Sequence, residues 1–149
     1  MRGFFRISEA SAVGFHALAL LARKKDLRIK GFKIAATLKV SHAYLDKIFQ
    51  ALEKHGLVRA IRGPAGGYLL AKDSRRITLL EIYEALEGRG EMADCLFENM
   101  VCTGRKCLLG GLVETVNREA RSYLARTKLS EVKEVYLPQK MKRHGQSEM

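Results

Sequence analysis

The stretch Arg62-Gly63-Pro64-Ala65-Gly66-Gly67-Tyr68, RGPAGGY, holds one of the chain's two prolines and three of its 13 glycines. It lies between two strand-like runs, Leu57-Val58-Arg59-Ala60-Ile61-Arg62 and Gly67-Tyr68-Leu69-Leu70-Ala71. Pro64 fixes one backbone angle, while Gly63, Gly66 and Gly67 permit positive φ and a close approach of the backbone to another surface. The combination predicts a narrow β-hairpin with Arg62 at its root or tip.

Upstream, the apolar spacing is helical. Ala12, Phe15, Leu18, Ala19, Leu21 and Ala22 predict a helix from Ser8 to Ala22 with Ser8 as N-cap. Phe32, Ile34, Ala35 and Leu38 predict a short helix over 29–38. Val40-Ser41 makes a turn, with Ser41 placed to cap a third helix that runs to His55 and is stopped by Gly56. Leu45, Ile48, Phe49 and Leu52 form the stripe of that helix. Two helices joined by a tight turn and followed by a slim hairpin predict a winged helix-turn-helix, mainly α with a small β-hairpin wing. Thr78-Leu79-Leu80-Glu81 then reads as a capping box opening a further helix, ended by Gly88.

Charge points to the partner. The chain of 149 residues carries a net charge of +11 and has a pI near 9.8. Residues 1–76 hold 16 Lys and Arg against 5 Asp and Glu, whereas residues 77–149 hold 11 of each. All the excess lies in the first half, which suits a polyanion. A slim arginine-bearing hairpin matches a minor groove about 6 Å wide, whose negative potential attracts Arg. Duplex DNA is therefore the expected partner. No membrane partner is expected, because no apolar run reaches the roughly 18 residues of a span and no long helix sets basic residues opposite an apolar face. The start, MRGFFRISEA, does not read as a secretory signal, so a cytoplasmic protein is expected. The four histidines, His16, His42, His55 and His144, show no pairing with acids or thiols that suggests catalysis. No enzyme activity is expected.

The three cysteines, Cys95, Cys102 and Cys107, fall in CLFENMVCTGRKC, a loop-like segment. In a reducing compartment such thiols are metal ligands, redox groups or isolated structural residues. Thiolates suit soft metals and iron–sulfur clusters. Beyond them Leu109, Leu112, Val113, Val116, Ala120, Tyr123 and Leu124 recur at helical spacing. A lone helix cannot bury that stripe against itself, so a homodimer is expected, with packing inside the monomer as the alternative. Dimeric readers bind half-sites about one helical turn apart or a multiple of it.

The segment VSHAYLDKIFQALEKHGLVRAIRGPAGGYLLAK, residues 40–72, resembles the DNA-binding core of the Rrf-two family of bacterial transcription regulators, and the likeness extends from about Ser8 to Leu129. The resemblance implies a recognition helix beginning at Ser41, with Ser41, His42, Ala43, Tyr44, Asp46 and Lys47 toward the major groove of an operator. His42 is alternatively a solvated surface residue, and Tyr44 alternatively packs against the wing. Lys33, Lys39, Arg59 and Arg76 would neutralise phosphates or serve as solubilising charge, and Arg62, Gly63, Gly66 and Gly67 would form the wing contact.

The resemblance further implies an iron–sulfur cluster, 2Fe-2S or 4Fe-4S, held by Cys95, Cys102 and Cys107. Its fourth ligand is open. Some family members place a histidine three residues after the third cysteine, where this chain has Gly110; others use an N-terminal aspartate, whereas the first here is Asp26. Ser8, Glu9, Asp94 or an exogenous ligand are the alternatives. The expected organisation is a winged domain over 1–88, a cysteine-rich loop over 89–108, a dimerisation helix and C-terminal segment over 109–137, and a frayed basic tail over 138–149. The expected function is a regulator sensing redox state, nitric oxide or iron–sulfur status. A regulator of the same fold responding through free thiols or a small effector is the alternative.

Overall fold

The computed structural model describes residues 5–23, 27–88, 95–97, 99–103, 105 and 107–135, and among these are six α-helices, two short 3-10 helices and one hairpin. Asp94 and the tail over 138–149 lie outside the described residues. Helix α1 (Glu9–Arg23) starts where Ser8 Oγ accepts the Ser11 N–H at 3.1 Å. The expected face is buried through Leu18, Ala19, Leu21 and Ala22, and Val13 and Ala17 join it.

Helix α2 (Gly31–Leu38) begins two residues later than the periodicity predicts. Ile29 is held elsewhere: it exchanges two backbone hydrogen bonds with Tyr68, at 2.9 and 2.8 Å. Phe32, expected in the core, is 55% exposed, since Ile34 and Ala35 take the inner face. The helix closes with Lys39 in the left-handed region at φ 58°. The Val40 N–H donates to Ala35 O and the Lys39 N–H to Ala36 O, so both orphan carbonyls are used.

Helix α3 (His42–Lys54) is capped as expected, Ser41 Oγ accepting the Tyr44 N–H at 3.1 Å. It ends in the same closure as α2, the Gly56 N–H donating to Glu53 O and the Leu57 N–H to Leu52 O. Here Gly56 takes the positive φ, 73°. Strands β1 (Val58–Ile61) and β2 (Gly67–Leu70) then pair antiparallel, with Arg59 opposite Leu69 and Ala60 opposite Tyr68. Helix α4 (Leu79–Glu87) carries the complete Thr78/Glu81 capping box and stops at Gly88.

Helix α5 (Leu112–Arg126) starts after the turn at Leu108–Gly111, where Gly110 has φ 61°, so Leu109 stands outside the helix it was expected to open. The chain then returns to the reader. The Leu79 N–H donates to Thr127 O at 2.9 Å and the Leu129 N–H to Ile77 O at 2.8 Å. Helix α6 (Leu129–Val132) follows, and Leu129 is fully buried in one core with Leu18, Ile34, Leu45, Phe49, Leu52, Ile77 and Ile82. The core of the winged unit therefore does not stop at Gly88.

Removing Leu129 side-chain carbons leaves a hole among those partners. Leu129→Ala is expected to lower stability by about 2–5 kcal/mol, read from urea unfolding followed by circular dichroism. Leu108→Ala, at a side chain that is 98% exposed, should change it by less than about 0.5 kcal/mol.

Candidate nucleic-acid interface

The wing is fixed to α3 through one side chain. The ring of Tyr68 stacks on that of Phe49, centroids 4.1 Å apart and planes within 8°. Its hydroxyl donates to Asp46 Oδ1 at 3.0 Å. Burial, the Asp46 hydrogen bond and the nearby carboxylates of Asp46 and Glu53 push the Tyr68 phenol up to about 12. Asp46 thus faces the wing as well as solvent, and its Oδ1 also lies 3.5 Å from His42 Nε2.

Outward from this lock, Ser41, His42, Ala43 and Lys47 are exposed along α3, and Tyr44 is half-buried against the core. Lys33 and Lys39 are exposed on and after α2. At the far end of the hairpin, Arg62, Gly63, Pro64 and Ala65 are all exposed. The tip turns through a hydrogen bond from the Gly66 N–H to Gly63 O at 2.8 Å, with proline at its second position. A Cβ on Gly66 would run into the Ile61 carbonyl, and one on Gly67 would meet Ile29 O at 2.7 Å. Gly63 has φ 100°, so of the three glycines it serves by dihedral angle and Gly66 by lack of bulk.

Two features escape the periodicity. Tyr68 reads as a strand residue, and nothing local announces its stacking partner 19 positions earlier. The Ile29 pairing adds a third extended segment beside β2 and brings its exposed neighbours Arg28 and Lys30 to the root of the wing. The basic–apolar–basic alternation of 28–30 was the available signal. Arg59 shares with Leu69 the hairpin face opposite Tyr68, away from the stack on α3.

The described residues of the cysteine segment form turns and bends or carry no regular structure up to α5. Cys95 is half-buried, Cys102 and Cys107 are exposed, and all three are free thiols. Cys95 Sγ accepts the Phe97 N–H at 3.5 Å. Thiolates on non-helical backbone suit three positions of an iron–sulfur cluster. Among the described residues, no group of three or more His, Cys, Asp and Glu is gathered as for a metal ion. Of the alternatives for a fourth ligand, Asp94 lies outside the described residues, and Ser8 caps α1 and donates to Glu87 Oε1, which also accepts from Ser11 Oγ at 2.6 Å. Partial burial works to raise the Glu87 carboxyl, but the bonds from Ser11 and Ser8 outweigh it and hold it below its ordinary value.

A family model described as Rrf2, an iron-dependent transcriptional regulator, matches residues 7–134. The chain belongs to the Rrf2 family. It is a transcription regulator of the winged-helix type, and neither its family nor its relatives are enzymes. A protein of Neisseria meningitidis serogroup A, proposed to be an HTH-type transcriptional regulator, is 33% identical over 104 residues, 70% of each chain. The HTH-type transcriptional regulator IscR of Xenorhabdus nematophila is 33% identical over 93 residues, 62% of this chain and 57% of that one, so this match spans just over half of its length. Among solved structures, the oxidised form of Staphylococcus aureus CymR superposes with a TM-score of 0.71 at 26% identity, covering 90% of this chain and 99% of that one. The IscR of T. potens gives 0.65 at 26% identity, covering 85% of each.

The Tyr68 lock has a pH signature. The folded phenol keeps its proton to about 12, against 10.0 for a free one, so the folded chain binds the extra proton between those values. This contribution is whole below the lower value and is lost as pH rises through the upper. Tyr68→Phe should be less stable than the natural chain by about 1 kcal/mol at pH 8. The gap should close across that alkaline window when both are unfolded in urea at stepped pH.

Proposed function

We propose that this Rrf2 regulator is a cytoplasmic homodimer that binds an operator in double-stranded DNA and senses redox state, nitric oxide or iron–sulfur status through a 2Fe-2S or 4Fe-4S cluster held by Cys95, Cys102 and Cys107. The observation that carries it is the joining, in one chain, of a cation-edged winged helix-turn-helix to a segment bearing three free thiols. Ser41, His42, Ala43, Tyr44, Asp46 and Lys47 face the major groove. Arg62 enters the minor groove, where Gly63, Gly66 and Gly67 let the backbone approach phosphates. Lys33, Lys39 and Arg76 neutralise phosphates. The winged unit spans 1–88 with 127–135 closing its core, the sensing loop 89–108, and the dimerisation helix is α5.

The face of α5 supports the dimer. Val113, Asn117 and Leu124 are buried within the chain, while Leu112 and Tyr123 remain 50% and 51% exposed, as does Leu109 just before the helix at 40%. The monomer covers one edge of the stripe and leaves the other. Beside it lies an apolar groove of about 370 Å³, bordered by Phe5, Ile7, Phe15 and Tyr123. No helix among the described residues is long and apolar enough to cross a membrane. When bound, a cluster adds a change of charge and ligation with oxidant or nitric oxide. The chain's own part is to supply thiolates and to carry the resulting loop change to its two DNA readers.

A second reading has its own support. The described cysteines are not gathered around one centre, and a similar regulator, S. aureus CymR, has been solved in an oxidised form. Under that reading the thiols respond directly and no cluster forms.

Anaerobic purification with iron and sulfide assay separates the two. Bound iron and sulfide with visible absorption, and a DNA affinity that changes at least about tenfold on removing the cluster, are expected; colourless, iron-free protein selects the thiol reading. For the DNA contacts, Arg62→Ala should weaken binding mainly where the flanks are A·T-rich. Lys39→Ala should weaken binding to all sequences and flatten the salt slope by about one unit. Fluorescence anisotropy over a salt series measures both, and equal, sequence-blind losses would count against the minor-groove role.

A further inference from the structure

A cavity of about 590 Å³ lies against the wing on the side away from α3. Its walls come from four places: the end of α1 through Leu21 and Ala22, the two wing strands through Arg59 and Leu69, the segment after β2 through Lys72, Asp73 and Arg75, and the returning segment through Ser130 and Lys133. Arg59 and Leu69 are cross-strand partners, so their side chains share the hairpin face opposite Tyr68. The volume falls in the range of pockets for metabolite-sized ligands, about 300–1,000 Å³.

Its charges are unevenly used. Four cations border it, and two have partners: Lys72 Nζ lies 2.8 Å from Glu81 Oε1, and Arg75 Nη2 lies 2.9 Å from Asp73 Oδ2. Arg59 and Lys133 have no acidic partner among the described residues. Ser130 adds a hydroxyl to the lining, and Leu21, Ala22 and Leu69 give it an apolar part. A guanidinium and an ammonium facing one concavity bind an acidic group through charge-assisted hydrogen bonds. The apolar part suits a hydrocarbon or aromatic body and offers nothing to the sugar–phosphate chain of DNA.

We propose that this cavity is a binding site for a small amphipathic anion, its carboxylate or phosphate head held by Arg59 and Lys133 and its apolar body lying over Leu21, Ala22 and Leu69. The site contacts both strands of the wing and the segment that closes the core. It is independent of the cysteines, so its test does not depend on a cluster. Its failure leaves the regulator assignment standing.

The probe is 8-anilino-1-naphthalenesulfonate, whose sulfonate stands in for the acidic head. Titrated into the full chain, its fluorescence should rise to saturation, and octanoate should displace it while octylamine at equal concentration does not. The second apolar groove, bordered by Phe5, Ile7, Phe15 and Tyr123, presents no such pair of cations and would not prefer the anion. Arg59→Gln with Lys133→Gln should weaken dye affinity at least about tenfold and abolish the preference for octanoate. Lys133→Gln alone, at a half-exposed position near the end of the described chain, should give an intermediate loss and serves if the double variant does not unfold cooperatively on heating. Absence of saturable dye binding overturns the proposal. So does displacement by octylamine as strong as by octanoate, or an anion preference that survives in a folded variant.

Discussion

The flat stack of Tyr68 on Phe49 is the contact on which both reading elements depend. A two-stranded hairpin is marginal by itself in water, and this one has only four residues per strand. It becomes a fixed object because one ring face is shared with α3, the hydroxyl is taken by Asp46 and the backbone of Tyr68 is paired on its outer edge with Ile29. Each bond ties the wing to a different part of the helix-turn-helix. The angle between α3 and the wing is therefore set by packing and by two kinds of polar contact, and it exists before any DNA arrives.

A second closure makes the C-terminal part of the chain a member of the same body. Leu129 enters the core, the carbonyls of Thr127 and Ile77 accept the N–H groups of Leu79 and Leu129, and α5 lies on α4 with Arg121 Nη2 3.4 Å from Glu84 Oε1. One turn earlier on α5 the buried Asn117 accepts the Phe5 N–H through Oδ1 at 2.7 Å. Satisfying a buried amide in this way matters more than the bond alone suggests, because an unpaired one costs about 1–3 kcal/mol. The helix that presents the exposed edge of Leu112 and Tyr123 is thus held by its own reader from both sides.

The local grammar of the chain was legible wherever a single residue type decides a backbone state. Ser41, Gly56, Thr78, Glu81 and Gly88 each sit at the helix boundary their chemistry predicts, and the RGPAGGY turn is the hairpin that glycine and proline require. What was not legible depends on partners far away in sequence. Ile29 has the periodicity of a helix start but is taken by Tyr68; Phe32 has the right spacing for the core, which Ile34 and Ala35 already fill. In α5 one apolar stripe serves two edges, and Asn117, a polar residue, occupies a buried place within it. Asp46 was legible as a residue on the reading helix but not as the acceptor of a wing tyrosine, since that bond exists only once the hairpin has folded back. The cysteine segment was legible only as donor chemistry. Nothing local sets the spatial arrangement of three thiols where the described residues around them form neither helix nor strand.

These attachments constrain how a signal at the cysteines can act. The segment from Gly88 to Leu112 leaves α4 and returns to α5, and those helices are packed together. Both ends of the loop are anchored on one body, so a change in the loop has little leverage to swing the wing against α3 within a chain. In the proposed dimer it has leverage elsewhere: the loop runs directly into the exposed edge of α5, where a small shift alters how two readers are spaced. Operator binding is sensitive to that spacing, because both halves must meet grooves about one helical turn apart or a multiple of it. A difference of about 1.4 kcal/mol in placement energy between the two loop states changes affinity tenfold. The rigidity of each reader then becomes the means of response, since strain that cannot be absorbed inside a chain appears at the contact between chains.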